Sequence, residues 1–328
     1  MPRLLLSLVP GTVYNKAQPM EINHPPTPED PPLAEPHRKR GTLILIVVAA
    51  LFVIVPFFFW RGTWFGRPLT EEKIGEYLAD TKEPRHSQHA LAQIAERIAN
   101  ADPTVKRWYP QVLRLVDSPH PELRVNVAWV LGADNQSEEF HQALLALLRD
   151  TEPLVRRNAA LSLVRFGDSI ARPELLSMIR PYTVVAPREG KLLYRLEEAD
   201  SVDRGTLIAR MEVGEEEPLE IRSPLPGKFQ RKLAEEGAMV EAEEEILLLS
   251  PGEEHAWEAL RALYLVGQSE DLVEIERFAR GAAGEMSPRV QQQAVLTVGE
   301  IRRRASENNR REVEERVQQK AGTATANQ

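Results

Sequence analysis

Two stretches decide how the chain folds: PELRVNVAWVLG (Pro121–Gly132) and PLVRRNAALSLVRFG (Pro153–Gly167). They superpose with an offset of 32 residues. Pro121 falls on Pro153, Leu123 on Val155, Arg124 on Arg156, Asn126 on Asn158, Ala128 on Ala160 and Leu131 on Leu163. Between them EEFHQALLALLRD (Glu138–Asp150) carries apolar residues at helical spacing. Two helices per period of roughly thirty residues predict a stack of helix pairs. Pro121 and Pro153 stand where a first helical turn needs no amide donor. The small Ala128, Ala159 and Ala160 let neighbouring helices approach closely.

The pattern begins near SQHALAQIAERIAN (Ser87–Asn100) and runs to about Arg180. It returns in AWEALRALYLVG (Ala256–Gly267), DLVEIERFARG (Asp271–Gly281) and SPRVQQQAVLTVGEIRR (Ser287–Arg303). In the last copy Pro288, Val290, Ala294 and Val298 fall on Pro153, Val155, Ala159 and Leu163. Gln291 and Gln293 replace the Arg and Asn, so this copy is expected to cap the stack. The matched segments resemble HEAT repeats, in the short form also found in phycobilisome lyases. That resemblance implies an α-solenoid over residues 84–180 and 252–305.

Between the two blocks the period changes. VVAPREGKLLYRLEEADSVDRGTLIARM (Val184–Met211) is repeated by EIRSPLPGKFQRKLAEEGAMVEAEEEILLLSP (Glu220–Pro251). Pro187 falls on Pro224, Gly190 on Gly227, Lys191 on Lys228, Leu196 on Leu233, Val202 on Val240 and Ile208 on Ile246. Two such halves, each with a proline–glycine turn between strands, predict a small β-sandwich over 181–251. The second half resembles the biotinyl/lipoyl barrel-sandwich hybrid domain. By that resemblance the carrier lysine would lie eight residues before Pro224, where Glu216 stands. A carboxylate cannot form the amide link to biotin or lipoate, so no cofactor is expected there. Helical periodicity stops near Pro181 and resumes near Glu254, with Gly267 closing a helix as Gly167 does. The hybrid domain is therefore expected to be inserted into one continuous solenoid.

The 328-residue chain is 42% hydrophobic and 27% charged, enough for ordinary cores plus tails. Its net charge of −8 argues against a broad nucleic-acid surface. With no cysteine, disulfides, thiolate metal sites and cysteine nucleophiles are excluded. TLILIVVAALFVIVPFFFW (Thr42–Trp60) holds no charge, and 19 residues of helix span about 28 Å, close to the thickness of a bilayer core. It reads as a single transmembrane helix over 41–61. The basic cluster His37-Arg38-Lys39-Arg40 predicts a cytoplasmic N-terminus in an inner (cytoplasmic) membrane, with the later domains outside the cytoplasm. The proline-rich 1–40 reads as a disordered arm, 62–83 as a linker and 306–328 as a C-terminal tail.

Chemistry-bearing constellations are sparse. His86 and His89 lie three apart but lack a third ligand, and no metal site is assigned. Glu215–Glu217 and Glu243–Glu245 read as solvated turns. The recurring Arg124/Asn126 and Arg156/Asn158 are expected to form a hydrogen-bond ladder between repeats. Gly190-Lys191 and Gly227-Lys228 lack the upstream glycine of a phosphate loop, and no catalytic motif is present. The expected function is a non-catalytic membrane-anchored scaffold that binds proteins, with no small-molecule substrate evident. A periplasmic adaptor role, as in membrane-fusion proteins of export or efflux systems, is the alternative. A lyase-type enzyme is a third reading, by analogy of fold alone.

Overall fold

The computed structural model describes residues 38–62, 68–80, 82–214 and 217–326. Residues 1–37 of the arm expected over 1–40, and Glu216 at the carrier-lysine position, lie outside the described residues, whereas Arg38–Arg40 open a helix. The chain divides into two compact units, Met1–Gly66 and Arg67–Gln328.

In the first unit, α1 runs from Arg38 to Gly62 and contains Pro56. Its described side chains extend from Leu45 to Phe57 and are nearly all exposed; Leu45, Phe52 and Val53 are each more than 70% accessible. Among the described residues no helix is long and apolar enough to cross a membrane. The ends of the charge-free run, 42–44 and 58–60, fall where side chains are not described.

The second unit holds the helical stack and the β-strands. Its helices are α2 (Glu71–Ala79), α3 (Pro84–Ala99), α4 (Tyr109–Arg114), α5 (Pro121–Leu131), α6 (Glu138–Leu147), α7 (Pro153–Leu163), α8 (Arg172–Ser177), α9 (Glu253–Val266), α10 (Leu272–Ala279) and α11 (Pro288–Ala326). Proline occupies the first turn of α3, α5 and α7, where its missing amide costs nothing. The odd-numbered helices from α3 to α11 pack in succession as an inner layer. One apolar core, from Ile74 to Ile301, runs through both helical blocks.

Buried hydroxyls tie the inner layer together. Ser162 donates to the Ala128 carbonyl at 2.8 Å, and Thr297 donates to the Leu260 carbonyl at 2.8 Å. These are the same position in α7 and α11, each reaching the helix before it. Gly132 makes the first contact possible, since a Cβ there would lie 2.5 Å from the Ser162 Oγ.

Four expectations are corrected. The segment 62–83 is not all linker: α2 is capped by Thr70 and buries Ile74 and Leu78 in the solenoid core, so the stack starts before residue 84. A nine-residue helix with two core residues is marginal alone and depends on tertiary packing. Residues 306–326 of the expected tail are not separate, because α11 continues unbroken to Ala326. Gly267 does not repeat Gly167: the latter is left-handed (φ 73°), whereas Gly267 is extended (φ −62°, ψ 152°). Glycine is needed at 267 for closeness, since a Cβ would strike the Leu263 carbonyl and Ile301. Finally, Asn126 and Asn158 do not join repeats. Each donates to the carbonyl four residues back in its own helix, at 2.9 and 2.8 Å.

The arginines do make the ladder. Arg124 grips Asp150 with two bonds of 2.6 and 2.9 Å, and Arg156 reaches Glu174 at 3.3 Å. The next rung is Arg172 to Asp271, at 2.9 and 2.8 Å, between residues 99 apart in sequence. It joins the two helical blocks across the strands that separate them.

Those strands are β1 (Tyr182–Val185), β2 (Gly190–Tyr194), β3 (Ser201–Val202), β4 (Leu207–Glu212), β5 (Leu219–Arg222), β6 (Gly227–Lys232), β7 (Met239–Val240) and β8 (Glu245–Pro251). They form two four-stranded antiparallel sheets, ordered β1-β8-β6-β3 and β5-β4-β2-β7. Advancing each strand of the first sheet by four, cyclically, yields the second, so the sequence repeat is a repeat of topology. Gly190 and Gly227 are equivalent in it. A Cβ on Gly190 would lie 2.8 Å from the Glu212 carbonyl, and one on Gly227 would collide with that of Ser250. The strands have their own core around Phe229, Ile208 and Ile246. Tyr182 pairs with Leu249, so the first and last strands of the segment leave the helices side by side.

Candidate protein-binding face

The outward side of the inner layer is assembled from equivalent positions in successive helices. Trp129 of α5, Leu161 of α7, Arg261 of α9 and Leu296 of α11 form one row. Trp129 is 51% exposed and Leu296 60%. Asn126, Asn158 and Gln293 form the adjacent row. Because their amide nitrogens are committed to helix carbonyls or to Thr297, their oxygens are left as acceptors on this face. On α9, Trp257 lies between two guanidinium groups, Arg261 at 4.5 Å and Arg289 at 3.5 Å from its ring. Such cation–π contacts hold an aromatic face in place. Arg289 is oriented in turn by Glu254 at 3.1 Å.

A cleft of about 1020 Å³ adjoins this face, between β3, β6 and β8 on one side and α9, α10 and the segment before α11 on the other. It is lined by Glu198, Asp203, Glu253, Glu254, Glu258 and Glu285 against Lys228 and Arg277, so its field is negative. Burial, with Glu254 nearby, raises the pKa of half-buried Glu258. Lys228 crosses the mouth to Glu285 at 3.3 Å.

Behind His255, which lines the cleft, Arg157 of α7 is buried and donates to the His255 Nδ1 at 3.0 Å. Its Nε–H has no acceptor among the described residues. A guanidinium only donates, so His255 must be neutral with its proton on Nε2. Burial and the adjacent Arg157 charge hold the His255 pKa down to about 4, and burial lowers Arg157 to about 10.

A pH dependence follows. Above its unfolded pKa, near 6.5, His255 is neutral in both states and costs nothing. As pH falls towards 4, the unfolded chain takes up a proton that the folded chain refuses, and stability is lost. The loss amounts to about 3 kcal/mol across that window. His255→Gln, whose amide oxygen can still accept from Arg157, is expected to flatten this part of the stability–pH curve. Equal slopes in denaturant titrations of the two proteins between pH 7 and 4 would refute the linkage.

The other residues singled out in the sequence take structural roles. His86 bonds Asp80 at 2.6 Å and stacks on Tyr77, while His89 is buried beside Gln93. Among the described residues no group of three or more histidines and carboxylates could hold a metal ion. Lys191 pairs with Glu212 at 3.6 Å. Glu243 sits in a turn at φ 65°, and Glu244 accepts from the Glu241 amide.

Residues 109–186 match the family model for HEAT repeats. No curated protein matches the chain. The matched residues run from α4 through β1 and carry Trp129, Asn126, Asn158 and Leu161 of the candidate face. HEAT repeats present extended surfaces to other proteins, which agrees with the role inferred from the exposed rows. Trp129 itself was readable in the sequence only as an apolar residue out of phase with the buried stripe Leu123, Val127, Val130 and Leu131. Arg157 and His255, 98 residues apart, offered no common signal.

Proposed function

We propose that the protein is a membrane-anchored, non-catalytic scaffold whose inner helical face docks a protein partner. The observation that carries the reading is Trp129, half exposed on α5, with the partly buried Leu161 and the exposed Leu296 at the equivalent positions of α7 and α11. Buried tryptophans dominate binding energy where they reach a partner, because a large rigid apolar surface is desolvated at little entropic cost. The β-domain serves as a second docking module. Its duplicated strand order supports the barrel-sandwich hybrid reading, and Glu216 at the attachment position argues against a cofactor. The exposed apolar side chains of α1, together with Arg38, Lys39 and Arg40 before them, support an anchor with the N-terminus in the cytoplasm. The β4–β5 link is too short for the helical hairpin usual in membrane-fusion adaptors, so that alternative has less support.

The test is a pull-down with the full tagged chain from detergent-solubilised native membranes. A partner retained by the wild type should be weakened about thirty-fold by Trp129→Ala, the equivalent of about 2 kcal/mol. Equal recovery of the partner with both chains overturns the docking face. Recovery of the chain in the soluble fraction before detergent is added overturns the anchor.

A further inference from the structure

The last inner helix leaves its receiving side bare. In α5, Ala128 and Gly132 meet the next inner helix; Ala128 is fully buried and Gly132 is pressed against Ser162. The equivalent residues of α11 are Val295 and Gly299. Val295 is 54% exposed, and a Cβ on Gly299 would meet no atom within 4 Å. Terminal repeats of a stack normally carry a polar outer face, so α11 is an incomplete cap, contrary to the expectation from Gln291 and Gln293. Further along α11, Arg310 and Arg311 are exposed and form no ion pair among the described residues. At the other end of the helix Glu285 is 95% exposed and, with Glu253 and Glu254, rims the acidic cleft.

We propose that this side of α11 packs antiparallel against α11 of a second copy, crossing at Gly299 on a two-fold axis. In that register residue 299 + k of one chain faces 299 − k of the other, as an isologous contact requires. Val295 flanks the crossing in both copies, and the missing side chain at 299 permits close approach of the two helices. Eleven residues on, about 16 Å along the axis, Arg310 of one copy comes beside Pro288 of its mate and within reach of the acidic rim. The charge complementarity repeats at both ends by symmetry. A second copy thus covers Val295 and brings the acidic rim to Arg310, which lies on the same side of α11 as Gly299.

The cysteine-free sequence makes the test direct. In the full-length chain, solubilised in mild detergent and gently oxidised, Gly299→Cys should yield a disulfide-linked dimer as the main product. Gln292→Cys or Ser306→Cys alone, each off the axis, should give little, whereas the two in one chain should link. Arg310→Glu/Arg311→Glu should weaken association about tenfold by light scattering. Adding Glu253→Lys/Glu285→Lys to the same chain should restore it. A monomeric mass for the unaltered chain, or equal cross-linking of all the single cysteines, overturns the proposal. So does failure of the charge exchange to restore association in a chain of unchanged helix content.

Discussion

Asp271→Ala is expected to lower the stability of the helical stack by about 3–5 kcal/mol, the cost of breaking a buried ion pair from one side. Asp271 is 3% exposed, holds both Nε and Nη2 of Arg172, and also accepts the Gln268 amide at 2.8 Å. Its removal leaves a largely buried guanidinium whose remaining carboxylate, among the described residues, is the exposed Glu270 at 3.6 Å. This rung ties the first residue of α8 to the residue just before α10, across the β-domain in sequence, so the loss should appear in the helical signal. Removing both charges, as Arg172→Met/Asp271→Leu, should restore most of the stability, because the desolvation cost disappears with the attraction. Urea denaturation followed at 222 nm measures both variants. A double variant as unstable as Asp271→Ala would show that the amide cap, not the charge pair, dominates.

Phe229→Ala should cost the β-domain about 3–5 kcal/mol, the usual price of emptying a large aromatic from a packed core. Phe229 is fully buried and packs its ring 5.7 Å from that of Tyr194, which donates to the Ile246 carbonyl at 2.6 Å. The strands and the helices have separate apolar cores, so the loss should stay local. Hydrogen exchange on the intact chain should show faster exchange in β2, β4, β6 and β8, with α5 and α7 unchanged. If the helical amides lose protection in the same step, the two cores unfold as one cooperative unit.

Much of this architecture follows from local pattern. The 32-residue offset placed α5 and α7 because a helix's apolar stripe and its first-turn proline are properties of a few turns of chain. The paired glycines at 190 and 227 marked the duplicated strands because each turn must clear a neighbouring carbonyl. The rungs at Arg124 and Arg156 were visible as recurrence, whereas Arg172 was not. Their acceptors were not, since Asp150, Glu174 and Asp271 stand at unequal distances along the chain.

By itself, the sequence determined the repeat, the change of period at Pro181 and the absence of a thiol or catalytic motif. Each depends on neighbours within a turn, a strand or one repeat. Only the tertiary structure decided that α2 belongs to the stack and that Asn126 and Asn158 serve their own helices. It alone paired Arg157 with His255 and left Trp129 and Val295 uncovered. Those outcomes depend on which faces meet after residues roughly a hundred positions apart have come together. A side chain's exposure is set by what packs over it, and no local spacing records that.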